Sequence, residues 1–255
     1  MQELLEEMRV WLFAYVKSFY NEDRKIQQAM LLKEEHTRMV QNICRDLAVH
    51  LNLTESDCLL AEMMGLFHDV GRFQQFTIYK TFNDSLSENH ALLGLKVLGK
   101  LPLLEKLSPA DRAAFNFAIA NHNAKQIEKT EDRRQLLFAR LLRDADKLDI
   151  YRVLSPFLQP SDGTGCSADF LQRFVAGDQC DYAQIRTLDD RKLVRLMWLY
   201  DINFSWTLQR VVERGYVEAV ASCLPDTVTM AQGMDHLERY IKAKLSQPDY
   251  PALAF

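Results

Sequence analysis

The sequence predicts an all-α protein in which helices account for almost the whole chain. Apolar residues recur at intervals of three and four, which is the period of one helix face, and no segment alternates convincingly with the period of two that marks a strand. Of the 255 residues, 48% are apolar and 26% are charged, the balance of an ordinary globular protein with a sizeable core. We therefore expect one multi-helix domain over residues 1–255.

The first predicted helix is amphipathic. Its polar face carries several acids and lacks the lysines and arginines of helices that lie on membranes, so core packing is favoured over membrane-surface binding. The apolar face consists of Leu4, Leu5, Met8, Trp11, Leu12, Tyr15, Val16 and Phe19.

Two longer helices are predicted next. One extends from about Ile26 to Leu51 and directs His36 towards the core. The other begins at a capping box formed by Thr54 and Asp57. We expect Gly71 to let the chain leave that helix.

The segment Gln74–Asn83 is rich in aromatic and β-branched residues, and it predicts an ordered loop, with a short strand as the alternative. Ser85 and Glu88 predict a capping box for the following helix, and Ser108 before Pro109 predicts the start of another. Later helices are expected near Thr130–Asp149, Ala168–Ala176, Leu188–Arg214, Val217–Leu224 and Val228–Leu245, with one long loop from Pro156 to Gly165.

Charge and cysteine content argue against several classes of protein. The net charge of −4 and the scattered lysines and arginines disfavour a nucleic-acid binder. Five widely spaced cysteines without a C-x-x-C pair predict reduced thiols. Charged residues interrupt the apolar N-terminal segment, which neither a signal peptide nor a membrane span tolerates. We expect a cytoplasmic protein with no nucleic-acid or membrane partner.

Six polar residues interrupt the apolar faces of successive helices and predict a metal centre. Side chains from different helices of a bundle can converge on one interior point, and imidazoles with carboxylates suit one or two divalent ions of manganese, iron, nickel, cobalt, zinc or magnesium. Asp69 is the natural bridge between two ions, because it adjoins His68. The six residues are His36, His68, Asp69, His90, His122 and Asp146.

Four of these residues, His36, His68-Asp69 and Asp146, resemble the signature of the HD superfamily of metal-dependent phosphohydrolases, which is a histidine, an adjacent His-Asp pair and a distant aspartate. The matching segments are HTRMVQNICRDLA, LFHDVGRF and RDADKLD, and the resemblance covers roughly residues 25–155. It implies an HD-like metal-binding core there, with helical extensions at 1–24 and 156–255. His90 and His122 resemble the additional ligands of two-metal members such as the cyclic-dinucleotide phosphodiesterases.

The resemblance implies hydrolysis of a small, nucleotide-like phosphate ester through a metal-activated water. Arg72 replaces the lysine of many relatives and would steady the phosphate, although capping a helix end is an equal alternative. The cyclic-dinucleotide phosphodiesterases usually carry two adjacent histidines where this chain has His122-Asn123, and their Gly-Tyr-Pro motif is not evident here. Both differences disfavour a cyclic dinucleotide as the substrate. The first ion would be held by His36, His68, Asp69 and Asp146, and the second by Asp69, His90 and His122.

Two other functions stay open. Some members of the superfamily use the same six-ligand set to hold two irons and act as oxygenases, and others have lost their ligands and serve as regulatory binding modules. Asp149 is expected to support a ligand and Asp144 to face elsewhere. The aromatic loop near Tyr79, Lys80 and Thr81 is expected either to wall the substrate pocket or merely to pack.

Overall fold

The computed structural model describes residues 1–180 and 182–249, and within those ranges it contains helices and no strand, so the all-α prediction is confirmed. The α-helices are α1 (Gln2–Lys17), α2 (Arg24–His50), α3 (Glu55–Phe67), α4 (Val70–Tyr79), α5 (His90–Leu98), α6 (Pro109–Asn121), α7 (Arg133–Leu154), α8 (Ala168–Ala176), α9 (Leu188–Met197), α10 (Ser205–Glu213), α11 (Tyr216–Ala221) and α12 (Val228–Leu245). Short 3-10 helices cover Asp84–Leu86, Pro102–Lys106, Ser155–Phe157, Tyr182–Gln184 and Trp198–Asp201.

The described chain divides into two compact units, Met1–Asp149 and Ile150–Asp249. The expectation of a single domain stays a prediction. No helix in the described residues is both long and apolar enough to cross a lipid bilayer. All five cysteines lie in the described ranges and are free.

Polar caps begin the helices of the first unit where the sequence predicts them. The Thr54 hydroxyl accepts the Asp57 backbone N–H at 3.2 Å, and the Ser108 hydroxyl accepts that of Asp111 at 3.1 Å. Each bond satisfies one of the amide groups that the first turn of a helix leaves without an acceptor.

Helix α3 packs against several helices of the first unit, and ten of its 13 residues are buried. At Gly65 the backbone of α2 comes so close that a Cβ atom would lie 2.8 Å from Gln41 Cα. The ring of Phe67 contacts Trp11 of α1 at a centroid distance of 6.0 Å and Phe115 of α6 at 6.1 Å. This packing buries the end of α3, where the polar residues of the candidate site begin.

The prediction of an ordered loop over Gln74–Asn83 was wrong for most of that segment, because α4 continues to Tyr79. Phe73 is fully buried and lies 6.3 Å from Phe19 between ring centroids. Long-range packing therefore outweighs the β-branched and aromatic propensity of the segment. Lys80, with φ of 56° in the left-handed region, ends the helix.

Gly71 does not end α3 as predicted; it lies in the first turn of α4. A Cβ atom there would approach the His90 carbonyl oxygen to 2.3 Å and the Gly94 nitrogen to 2.6 Å. The glycine is required because α4 and α5 touch through their backbones at this point. The predicted capping box at Ser85 was also wrong, since Asn89 caps α5 and accepts N–H groups from the first turn at 2.9 and 3.1 Å.

The second unit contains α8 to α12. The predicted helices at Ala168–Ala176 and Val228–Leu245 are confirmed. Helix α8 packs closely on α12, because a Cβ atom at Gly233 would lie 2.2 Å from Phe174 Cδ1. The single helix predicted over Leu188–Arg214 is instead α9 and α10, separated by the 3-10 turn Trp198–Asp201.

Candidate metal centre

All six sequence-predicted ligands lie in one centre inside the first unit. Four of them stand at helix ends: His68 follows the last residue of α3, Asp69 precedes α4, His90 is the first residue of α5, and His122 follows α6. The carboxylate of Asp69 makes no capping hydrogen bond to α4, so its oxygens are directed at the other site residues. His36 projects from α2 and Asp146 from α7.

The first group of ligands surrounds the Oδ2 atom of Asp69. His36 Nε2 lies 3.6 Å and His68 Nε2 lies 3.5 Å from that oxygen, and the two Nε2 atoms are 3.2 Å apart. Asp146 Oδ1 closes the group at 3.1 Å from His36 Nε2 and 3.7 Å from His68 Nε2. These distances leave all four side chains facing one point.

The second group surrounds the other oxygen of the same carboxylate. His90 Nε2 lies 3.3 Å and His122 Nε2 lies 3.8 Å from Asp69 Oδ1, and the two nitrogens are 2.9 Å apart. Asp69 is thus the residue common to both groups, as expected of a bridging ligand. Two sets of three residues, one on each oxygen of Asp69, have the proximity that a bound metal ion requires.

Two of the imidazoles are oriented by the backbone of their own helix. His68 Nδ1 lies 2.8 Å from the Gly65 carbonyl oxygen, and His122 Nδ1 lies 2.7 Å from the Ile119 carbonyl oxygen. A carbonyl oxygen only accepts, so each Nδ1 carries the proton and donates it. The Nε2 atom of each neutral ring therefore points a lone pair at the centre.

The other two imidazoles are oriented by carboxylates. His36 Nδ1 lies 2.6 Å from Asp149 Oδ2, which agrees with the expected supporting role of Asp149. His90 Nδ1 lies 2.7 Å from Asp84 Oδ2. Such partners fix the tautomer of a ligating histidine and make its Nε2 a better electron donor. Asp144 is buried but belongs to neither of the two groups around Asp69.

The donor set fits divalent metal ions. In the His90–His122 contact each Nδ1 donates to an oxygen, so both Nε2 atoms carry lone pairs and repel each other unless a cation lies between them. Imidazole and carboxylate donors without a thiolate are typical of zinc, manganese, iron and nickel centres. Divalent metal binding is therefore the chemistry that this arrangement supports.

Burial and neighbouring charges shift the pKa values of the site residues. Burial lowers the pKa of His68 and of His90 to about 4, against the opposing pull of nearby carboxylates. Burial alone would raise the pKa of Asp69, but Lys33 and His68 hold it well below its usual range. Burial and Lys33 lower the pKa of His36, but its bonds with Asp146 and Asp149 outweigh them and leave that pKa raised.

Arg72 lies beside the bridging carboxylate, with its Nε atom 3.4 Å from Asp69 Oδ1. Its Nη1 atom contacts Asp84 Oδ1 at 2.8 Å, Gln75 Oε1 at 2.9 Å and the Phe82 carbonyl oxygen at 2.5 Å. These bonds hold the segment after α4 against the centre. Contact between Arg72 and a phosphate stays a prediction.

Sequence reasoning missed two charged residues of the site. Lys33 Nζ lies 2.6 Å from Asp69 Oδ2, and the only signal for it was its position one turn before His36 on the same helix face. Asp84 contacts both His90 and Arg72. No helical spacing in the sequence indicates that Asp84 belongs to the site, because its position depends on the short 3-10 helix that it begins.

Replacing Asp84 with asparagine is expected to weaken metal binding about 10- to 100-fold, because His90 loses the carboxylate that fixes its ring. Calorimetric titration of the metal-free protein with Mn²⁺ measures the effect. Asp235→Asn, at an exposed ion pair with Arg239, is the matched control and should bind as the unchanged protein does. Equal affinities for both variants would contradict the assigned role of Asp84.

The metal-free protein is expected to lose stability as the pH falls from about 6.5 to about 4. His68 and His90 have folded pKa values of about 4, below their ordinary 6.5, so in this window the unfolded chain takes up protons that the folded chain does not. The raised pKa of His36 contributes stability that is already present below about pH 6.5, so it does not offset this loss, and we expect the unfolding free energy to fall by about 2 to 4 kcal/mol. Urea unfolding at pH 6.5 and 4.5 after chelation measures it. An equal or higher value at pH 4.5 would refute the prediction.

Comparison with known families gives a match over the same part of the chain. Residues 34–151 match the family described as HD domain, and this range contains all six predicted ligands, from His36 to Asp146. Comparison with curated proteins and with solved structures found no match.

Proposed function

We propose that this chain, whose residues 34–151 match the HD domain family, is a metal-dependent hydrolase of the HD superfamily that acts on a nucleotide or another small phosphate ester. The observation that carries the proposal is the sharing of Asp69 between two pairs of imidazoles. One carboxylate oxygen faces His36 and His68, and the other faces His90 and His122. These residues would hold two divalent ions, which would supply the chemistry of a two-metal phosphohydrolase.

Divalent ions held there would supply an activated water and positive charge for the oxygens of a phosphate. The chain contributes donors that are already oriented, because each Nδ1 atom is held by an oxygen acceptor before any ligand binds. Burial of the imidazoles excludes bulk water and strengthens every charge interaction at the centre. Arg72 lies 3.4 Å from Asp69 and supports this role by adding a fixed cation beside the bridging carboxylate.

The test is a substrate screen with protein that has been stripped of metal and reloaded with manganese, nickel or cobalt. We expect release of phosphate from mononucleotides or generic phosphate esters, and its loss in His122→Asn. His50→Asn, at an exposed position on α2, is the matched control and should retain full activity. Absence of turnover with every metal, at full occupancy measured by elemental analysis, would overturn the proposal.

The same preparations address the alternative chemistries. Oxygen consumption by iron-loaded protein in the presence of a polyol or phosphonate, without phosphate release, would favour an oxygenase. A regulatory binding module predicts that neither activity appears and that Asp69→Ala leaves the cellular phenotype unchanged. The presence of all six candidate ligands, with the Nδ1 atom of each imidazole held by an oxygen, favours an enzyme over such a module.

A further inference from the structure

We propose that Lys33 is a substrate-binding residue that exchanges between two anions: the carboxylate of Asp69 in the metal-free protein and the phosphate of the substrate once metal is bound. The second half of this inference rests on the proposed phosphohydrolase function. The first half concerns only metal binding and stands on the contacts of Lys33.

Lys33 occupies the oxygen that the first metal ion needs. Its Nζ atom lies 2.6 Å from Asp69 Oδ2, which is the same oxygen that faces His36 Nε2 and His68 Nε2. An ammonium group and a divalent ion repel each other and compete for one carboxylate oxygen. Metal binding at Asp69 therefore weakens the ion pair and releases the ammonium group.

The released ammonium group lies close to a position where it could bind a substrate anion. The side chain of Lys33 keeps 16% of its surface exposed, whereas that of Asp69 keeps 3%, so Lys33 lies between the buried centre and solvent. The Nζ atom lies 5.4 Å from the ring centroid of Phe82, and the guanidinium carbon of Arg72 lies 6.0 Å from the same centroid. Both cations thus flank one aromatic ring beside the centre, where an anionic group could bind to both.

The charges indicate which phosphate class fits. Four aspartates in the described part of the chain contact the site imidazoles, and two divalent ions would balance them. Lys33 and Arg72 then remain as two positive charges, which match a doubly charged terminal phosphate better than a singly charged diester. The four aspartates are Asp69, Asp84, Asp146 and Asp149.

The first half of the inference, on metal binding, is tested by titrating the metal-free protein with Mn²⁺ in a calorimeter. Lys33→Met removes the competing cation and is expected to bind Mn²⁺ about fivefold more tightly than the unchanged protein. Lys25→Met, an exposed lysine on the same helix, is the matched control and should bind Mn²⁺ with unchanged affinity. Equal or weaker binding by Lys33→Met would overturn the exchange.

The second half of the inference, on phosphate binding, is tested by titrating the Mn²⁺-loaded protein with inorganic phosphate and with dimethyl phosphate. Lys33→Met is expected to bind inorganic phosphate about tenfold more weakly, with dimethyl phosphate changed far less, and Lys33→Arg should restore binding. Unchanged phosphate affinity would overturn the assignment. These titrations need no turnover, so they decide the inference even if the substrate screen finds no hydrolysis and the proposed function fails.

Thermal unfolding separates this role from a purely structural ion pair and covers the case in which Lys33→Met folds poorly. Lys33→Gln is expected to melt at a lower temperature than the unchanged protein without metal, since it leaves a buried carboxylate without its partner. Saturating Mn²⁺ should abolish that difference. A deficit that persists undiminished with Mn²⁺ would mean that Lys33 only stabilises the fold, and the inference would be wrong.

Discussion

Replacing Asp69 with asparagine is expected to lower turnover roughly a thousandfold or more, the largest loss for any single substitution at the centre. Asparagine keeps the size of the side chain but has no negative charge and offers only one oxygen. Because one oxygen of Asp69 faces His36 and His68 and the other faces His90 and His122, a single substitution impairs both groups. Replacing a carboxylate that contacts only one group of ligands, such as Asp146, is expected to cause a smaller loss.

Elemental analysis after metal loading and steady-state kinetics on the best substrate of the screen measure the effect. We expect Asp69→Asn to retain less than one ion per chain. Asp46→Asn, at an exposed position of α2, changes charge by the same amount and should match the unchanged protein in both measurements. Two tightly bound ions in Asp69→Asn would show that the carboxylate does not bridge them.

Replacing Gly71 with alanine is expected to lower the free energy of unfolding by about 2 to 3 kcal/mol and to impair metal binding. The added Cβ would lie 2.3 Å from the His90 carbonyl oxygen, and backbone atoms cannot turn aside as a flexible side chain can. Helix α5 must therefore move away from α4. Because His90 begins α5, that movement carries one ligand of the second group away from Asp69.

Urea unfolding of the metal-free protein measures the stability loss, and Mn²⁺ titration measures the loss at the centre. Gly99→Ala is the matched control: Gly99 is an exposed helix cap, and its nearest contact with an added Cβ is 3.3 Å. Its unfolding free energy should change by no more than about 0.5 kcal/mol. Equal stability of Gly71→Ala and the unchanged protein would contradict the close approach of the two helices.

Most of the α-helical framework could be predicted because its signals are local. Thr54 and Ser108 act as caps through hydrogen bonds that span three residues, and such bonds follow from sequence spacing alone. The six candidate ligands were recognisable because polar residues on otherwise apolar helix faces are costly to bury without a compensating partner. Their convergence on Asp69 agrees with that reasoning.

The remaining features depend on contacts between distant segments. Helix α4 extends through a β-prone segment because Phe73 is buried against Phe19, and the role of Gly71 depends on the passage of α5. Lys33 and Asp84 were missed because charged residues of ordinary spacing are usually solvated. Only the folded chain shows that they contact Asp69 and His90.

The supports of the four imidazoles have a consequence for how such a centre responds to substitution. Each half of the site combines one ring held by a backbone carbonyl, at His68 or His122, with one ring held by a carboxylate, at His36 or His90. Backbone supports survive substitution of neighbouring side chains, whereas a carboxylate support is lost in one step. A single substitution at Asp84 or Asp149 can therefore loosen the imidazole of one half and leave the supports of the other half unchanged.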